Sequence, residues 1–120
     1  MMATASVGAA VQDLKRRVAA VAVALVSRDG QVLYADLPTE AYADTFAVMC
    51  ATILGAAVTA NAELGHRLPG RVVVDGHDVR SVLVPCGRSA LLVAVVRSDG
   101  APEDLVTQVE RFADLLSFQR

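Results

Sequence analysis

Asp75, His77 and Asp78 lie within four consecutive residues. Two carboxylates and an imidazole so close together are donor types that hold a divalent cation. They also flank Gly76 between two apolar runs, where polar residues form a turn, and no second cluster completes a coordination shell. No metal is expected. Cys86 precedes Gly87 and would need a neighbouring base to act as a nucleophile. Neither His66 nor His77 is placed beside it by sequence, so a buried thiol at a strand end is expected. His66 follows the end of a helical stretch, where a histidine can satisfy last-turn carbonyls. Arg88 and Arg111 could serve as charge-stabilising fingers, but a solvated surface accounts for them equally. The glycines form neither GxxxxGK nor GxGxxG, so no phosphate cradle and no cofactor are expected.

With no reacting group in view, composition has to bound the role. The chain has 120 residues, of which 54% are hydrophobic and only 4% aromatic, so Val, Leu and Ala must build the core. This length suits a single domain over 1–120. A net charge of −2 offers no electrostatic reason to bind nucleic acid. Lys15-Arg16-Arg17 is the one basic run and reads as the wet side of a helix. Two distant cysteines without a CxxC pair fit a reducing compartment. In MMATASVGAAVQDLKRR the positive charges follow the apolar residues, the reverse of a secretory signal, and a cytoplasmic location is expected.

Periodicity supplies the elements. Val7, Val11, Leu14 and Val18 mark a first helix from about Ser6. Val21–Ser27 and Gln31–Ala35 are extended runs around Arg28-Asp29-Gly30, a hairpin signal. A long helix follows, with Pro38-Thr39-Glu40 as its start, Thr39 as N-cap and Gly65 as the residue that stops it. Arg71–Asp75, Val79–Pro85 and Ser89–Arg97 are three further strands joined by short polar turns, hence antiparallel neighbours. Pro102–Phe118 closes the chain as a helix with Leu105, Val109, Phe112 and Leu116 on one stripe. The runs VAVALV and ALLVAVV are apolar at nearly every position, so both sheet faces must be covered. The fold class is therefore α/β: one five-stranded antiparallel sheet between helices, in the order helix, two strands, helix, three strands, helix.

The long helix, Tyr42–Leu64, is apolar most of the way round. Its uncharged run of about 18 residues borders on a membrane span. Thr45, Thr52, Thr59 and Asn61 argue against that, and no span is expected. Tyr42, Phe46, Met49, Cys50, Ile53, Ala57, Ala60 and Leu64 form one stripe; Ala43, Ala47, Ala51, Leu54, Val58 and Ala62 form another. A helix with two apolar faces is buried on two sides. The larger stripe is assigned to the chain's own sheet. Ala47, Ala51 and Gly55, at four-residue steps, either let a second helix approach closely or pack tightly on the chain's own sheet, and the partner helix is preferred because the larger stripe already serves the sheet. Ala47, Ala51, Leu54, Gly55 and Val58 are thus expected at an interface with another chain. Thr45, Val48, Thr52, Ala56 and Thr59 form a strip bare of charge, a candidate docking surface.

This element order resembles the roadblock/dynein light chain 7 family, whose fold is profilin-like. So does the local phrasing: SRDGQVLYADLP before the long helix, ELG at its end, then RVVVDG, VRSVLVPCG and ALLVAVV. The resemblance implies a homodimer, or a heterodimer with a paralogue, in which the third strands pair edge to edge. Val72, Val73 and Val74 would lie at that edge. It further implies a non-enzymatic regulator or scaffold of a small Ras-like GTPase, contacted through Thr45, Val48, Thr52, Ala56 and Thr59. The alternative is a structural adaptor in a larger signalling or motor complex, without effect on GTP hydrolysis. A ligand-sensing domain is a third possibility, against which the dense Ala/Val core counts.

Overall fold

The computed structural model describes residues 4–119. In chain order these form α1 (Thr4–Val18), β1 (Ala20–Ser27), β2 (Val32–Asp36), α2 (Ala43–Glu63), β3 (Val72–Asp75), β4 (Val79–Cys86), β5 (Ala90–Arg97) and α3 (Leu105–Gln119). The strands make one antiparallel sheet in the order β2-β1-β5-β4-β3. The two strands that are apolar up to their last residue, β1 and β5, are adjacent at its centre, where a strand is covered on both faces. β2 and β3 are the edges.

Strand alternation divides the interior in two. On one face Val23, Leu25, Leu92 and Val96 meet Val11, Leu14 and Val18 of α1 and Leu105, Val109, Phe112 and Leu116 of α3. On the other face Ala22, Ala24, Leu83, Leu91, Val93 and Val95 meet Ala47, Cys50 and Leu54 of α2. α1 and α3 share the first face, whereas α2 covers the second alone. Beside α1, Gln12 donates to the Tyr34 hydroxyl and to the Asp36 carboxylate, and Lys15 reaches that carboxylate at 2.9 Å. The Gln12 amide, followed by Lys15, holds the Asp36 carboxyl below its ordinary pKa.

The turns use the residues their geometry needs. Gly30, Gly65 and Gly87 have positive φ. At the end of α2, His66 N–H donates to Asn61 O and Gly65 N–H to Ala62 O, the two bonds of a Schellman stop. The expected start of α2 is corrected. Ala41 N–H closes a turn onto Pro38 O, which uses Thr39 and Glu40 as turn residues. The helix begins at Ala43 after Tyr42, without a side-chain cap, and Asp44 faces the positive end of its dipole.

Ala19 joins α1 directly to β1 at φ 54, the one positive-φ residue other than glycine among those described. An alanine in this region costs about 1–2 kcal/mol, part of which glycine would return as extra freedom when unfolded. Ala19→Gly should therefore raise the unfolding free energy by about 0.5–1 kcal/mol in urea titration. A loss of stability would show that the methyl group contributes more than its backbone strain costs.

Candidate functional site

The residues first considered for chemistry do not converge. Asp75 pairs with Arg80, and among the described residues no three His, Cys, Asp or Glu side chains come together. Cys86 is fully buried, its Sγ 3.4 Å from Ala113 O, as a strand-end thiol should be. Burial pushes the Cys50 thiol up to about 11, so it stays protonated at neutral pH. His66 takes part in the helix stop through its backbone. A cleft of about 780 Å³ opens between the end of α2, the β4–β5 turn and α3. Arg28 and Arg88 share its lining with Glu110 and Asp114, so it favours neither sign of charge.

What the fold does present is surface on α2. Its inner face is set by Ala47, Cys50 and Leu54, all buried, with Phe46, Ala57 and Val58 half-buried beside them. Two expected interface residues, Ala47 and Leu54, are therefore spent on the chain's own sheet, at 0% exposure. Val58 packs against the same core, and Ala51 is half-buried at its margin. Gly55 points into open space on the outer side. The reason is steric: small Ala47 and Cys50 side chains let α2 settle close to Ala22 and Ala24, which Met49 and Ile53 in their place would prevent.

Only part of the larger stripe, the flank carrying Met49 and Ile53, remains uncovered. Met49 is 51% exposed and Ile53 38%, and Ala56 and Ala60 continue the same flank. Tyr42, Met49, Ile53, Ala56 and Ala60 follow 7-4-3-4 spacing, which keeps them along one seam. Sequence reasoning assigned Met49 and Ile53 to the core; their seam spacing was the available signal. Thr45, Val48, Thr52, Ala56 and Thr59 all lie exposed on the outer side of α2. Thr52 Oγ1 donates to Val48 O at 2.7 Å within the helix. Gly30 at the β1–β2 turn lies so close that a Cβ there would sit 3.2 Å from Val48 Cα.

The second open feature is the β3 edge. Val72 is half-buried under α2, whereas Val73 and Val74 are 40% and 43% exposed. β3 pairs with β4 without interruption from Val72↔Leu83 to Asp75↔Arg80. The other edge is different. Between Leu25↔Tyr34 and Val26↔Val32 the register shifts, leaving Leu33 as an extra, exposed residue in β2. A bulge of this kind twists an edge and opposes further pairing.

Comparison with known proteins supports this description. No curated protein matches the chain significantly. Among solved structures, one of MglB in a tetrameric arrangement is 24% identical with a TM-score of 0.85, covering 98% of this chain and 90% of that one. Myxococcus xanthus MglB is 16% identical with a TM-score of 0.90, covering 99% and 92%. Profilin II of Acanthamoeba castellanii, at 20% identity and TM-score 0.57 over 84% and 87%, marks the wider profilin-like fold. The profile of the Roadblock/LC7 domain matches residues 7–96, from α1 through the end of the sheet. With the three-helix, five-stranded architecture in the matching order, the chain belongs to the Roadblock/LC7 family.

Proposed function

We propose that this chain is a non-enzymatic dimer that regulates or scaffolds a small Ras-like GTPase. Membership of the Roadblock/LC7 family supports a regulatory or adaptor role, and two structural neighbours are MglB proteins. The observation that carries the dimer is the pairing of two uncovered features in one molecule. These are the apolar Met49–Ile53 flank of α2 and the uninterrupted β3 edge. One structural neighbour is itself described as tetrameric, in keeping with self-association. In such a dimer the two α2 helices meet along their Met49–Ile53 flanks. The outer strips, Thr45 to Thr59, then lie side by side as a weakly polar platform for one partner.

Thr52→Arg tests the platform. Thr52 is exposed and bonds only within its helix, so the change should alter folding stability by no more than about 0.5 kcal/mol. It should weaken binding at least about tenfold, because an unpaired charge at a desolvated contact opposes docking. Titration calorimetry against the small GTPase encoded nearest to the gene reads this directly. Equal affinities would remove the platform; no binding by the unmodified protein would favour a structural adaptor.

A further inference from the structure

We propose that a trough across the β1–β2 and β4–β5 turns binds an extended segment of a partner protein, with one carboxylate of that segment seated on Arg28 and Arg88 between apolar side chains. Among the described residues, none that lines the trough lies in β3 or on the Met49–Ile53 flank of α2, so the proposal does not depend on the dimer.

The sheet brings the two arginines together from distant parts of the chain. Ser27 pairs with Ala90 at the last rung between β1 and β5. Arg28 N–H then donates to Ser89 O at 2.9 Å, which carries the pairing one residue into the turns. Arg28 Nε donates to Ala90 O at 3.3 Å, so the half-buried side chain is held against the start of β5. That bond leaves the two terminal amino groups of the guanidinium without an acceptor among the described residues. Arg88 follows Gly87, whose φ of 70 turns the chain from β4 into β5. It is exposed and has neither an ion pair nor a side-chain hydrogen bond among the described residues.

The acids that could have neutralised this pair are engaged elsewhere. Ser27 Oγ donates to the Asp29 carboxylate, and Arg71 holds Glu110 at 2.9 Å. Two guanidinium groups with unused donors, one of them already fixed in place, form a preorganised receptor for a carboxylate.

The surroundings of the pair define the rest of the occupant. Arg28 and Arg88 line the cleft of about 780 Å³ and also a second one of about 500 Å³ over the β1–β2 turn. Among the described residues they alone line both, so they stand where the two clefts join. Glu110 and Asp114 line only the first, from α3. That cleft is therefore neutral as a whole, but basic at the join and acidic at α3. Exposed Leu33 lies on one side of the join, and exposed Leu68 with Val58 and Pro85 on the other. A free phosphate or acetate would use the arginines and leave both leucines in water. A small organic ligand is buried over most of its surface by its pocket, whereas Gly87, Arg88, Leu68 and Asp114 are all exposed. An extended chain with an acidic residue between two apolar ones covers both leucines and pairs both arginines. A neutral or basic residue suits its Asp114 end.

Selection of random peptides displayed on phage against the unmodified protein tests this. The recovered sequences should share one Asp or Glu flanked by apolar residues. Titrated by fluorescence anisotropy, the synthetic peptides should lose affinity at least about tenfold in Arg88→Glu and in Arg28→Ala. The melting temperature of Arg88→Glu should not move, because Arg88 holds no other described group. Replacing the peptide's acid by lysine should recover part of the binding to Arg88→Glu, which a damaged fold would not allow. Arg111→Glu, outside the trough, should leave the peptides' affinity unchanged. Thr52→Arg should leave it unchanged too, so this proposal and the GTPase platform fail separately. Failure to recover any peptide, peptides without a shared acid, or equal affinity for Arg88→Glu would overturn the proposal. Inorganic phosphate that shifts the Arg28 and Arg88 amide signals, with no peptide recovered, would assign the pair to a small anion and overturn the segment.

Discussion

Ile53→Glu should convert the protein from a species of twice 12.6 kDa to a folded species of 12.6 kDa. The side chain is exposed on the flank of α2, so the charge meets water in the single chain and folding is hardly affected. In the proposed dimer the same carboxylate would enter a helix–helix contact lined by Met49, Ala56 and Ala60, and α2 itself carries no cation to pair with it. An unpaired buried charge costs several kcal/mol, and symmetry introduces two of them. Since each 1.4 kcal/mol is a factor of ten, the dissociation constant should rise by more than about 100-fold. Light scattering at tens of micromolar, with the melting temperature recorded beside it, separates association from folding. A dimer that persists in Ile53→Glu would mean that this flank is not the contact.

The neighbouring residue should behave in the opposite way. Leu54 is fully buried between α2 and the sheet, where it meets Leu83, Leu91 and Val93 in one cluster. Leu54→Ala leaves a cavity beneath a helix whose other fully buried residues, Ala47 and Cys50, are already small and cannot fill it. The expected loss is about 2–5 kcal/mol in urea unfolding of the monomeric Ile53→Glu background. That is a large part of the total stability of a domain this size. If Leu54→Ala left stability untouched while Ile53→Glu unfolded the chain, the two faces of α2 would be reversed.

These two adjacent residues mark where the sequence stopped being informative. The order of elements was legible because the extended runs were separated by short polar turns, two of which carry a glycine at positive φ, Gly30 and Gly87. The stop at Gly65 and the buried Cys86 were legible for similarly local reasons. The inner face of α2 was not. A helix rich in alanine and apolar on nearly all sides has no strong direction, and side-chain size alone favoured the wrong stripe. Close packing decided the matter: Ala47 and Cys50 face in because they are small, and Met49 and Ile53 are left outside. The start of α2 was misplaced because Thr39 and Glu40 suit a helix cap and a turn equally well. Only the Ala41–Pro38 hydrogen bond distinguishes the two. The edge position of β3 was correctly expected, but from family resemblance and not from the composition of the strand.

The bulge at Leu33 bears on how far assembly can proceed. A chain with two pairing edges behaves as a bifunctional monomer. It adds units at both ends, and its mean length grows with concentration. In this molecule β3 would be consumed when two chains meet, leaving the β2 strands outermost at either end of the joined sheet. With Leu33 displacing the register there, each end acts as a chain terminator. In the proposed dimer, growth along the sheet would then stop at two chains at any concentration. Removing Leu33 would in the same sense turn a self-limiting pair into a subunit of a fibre.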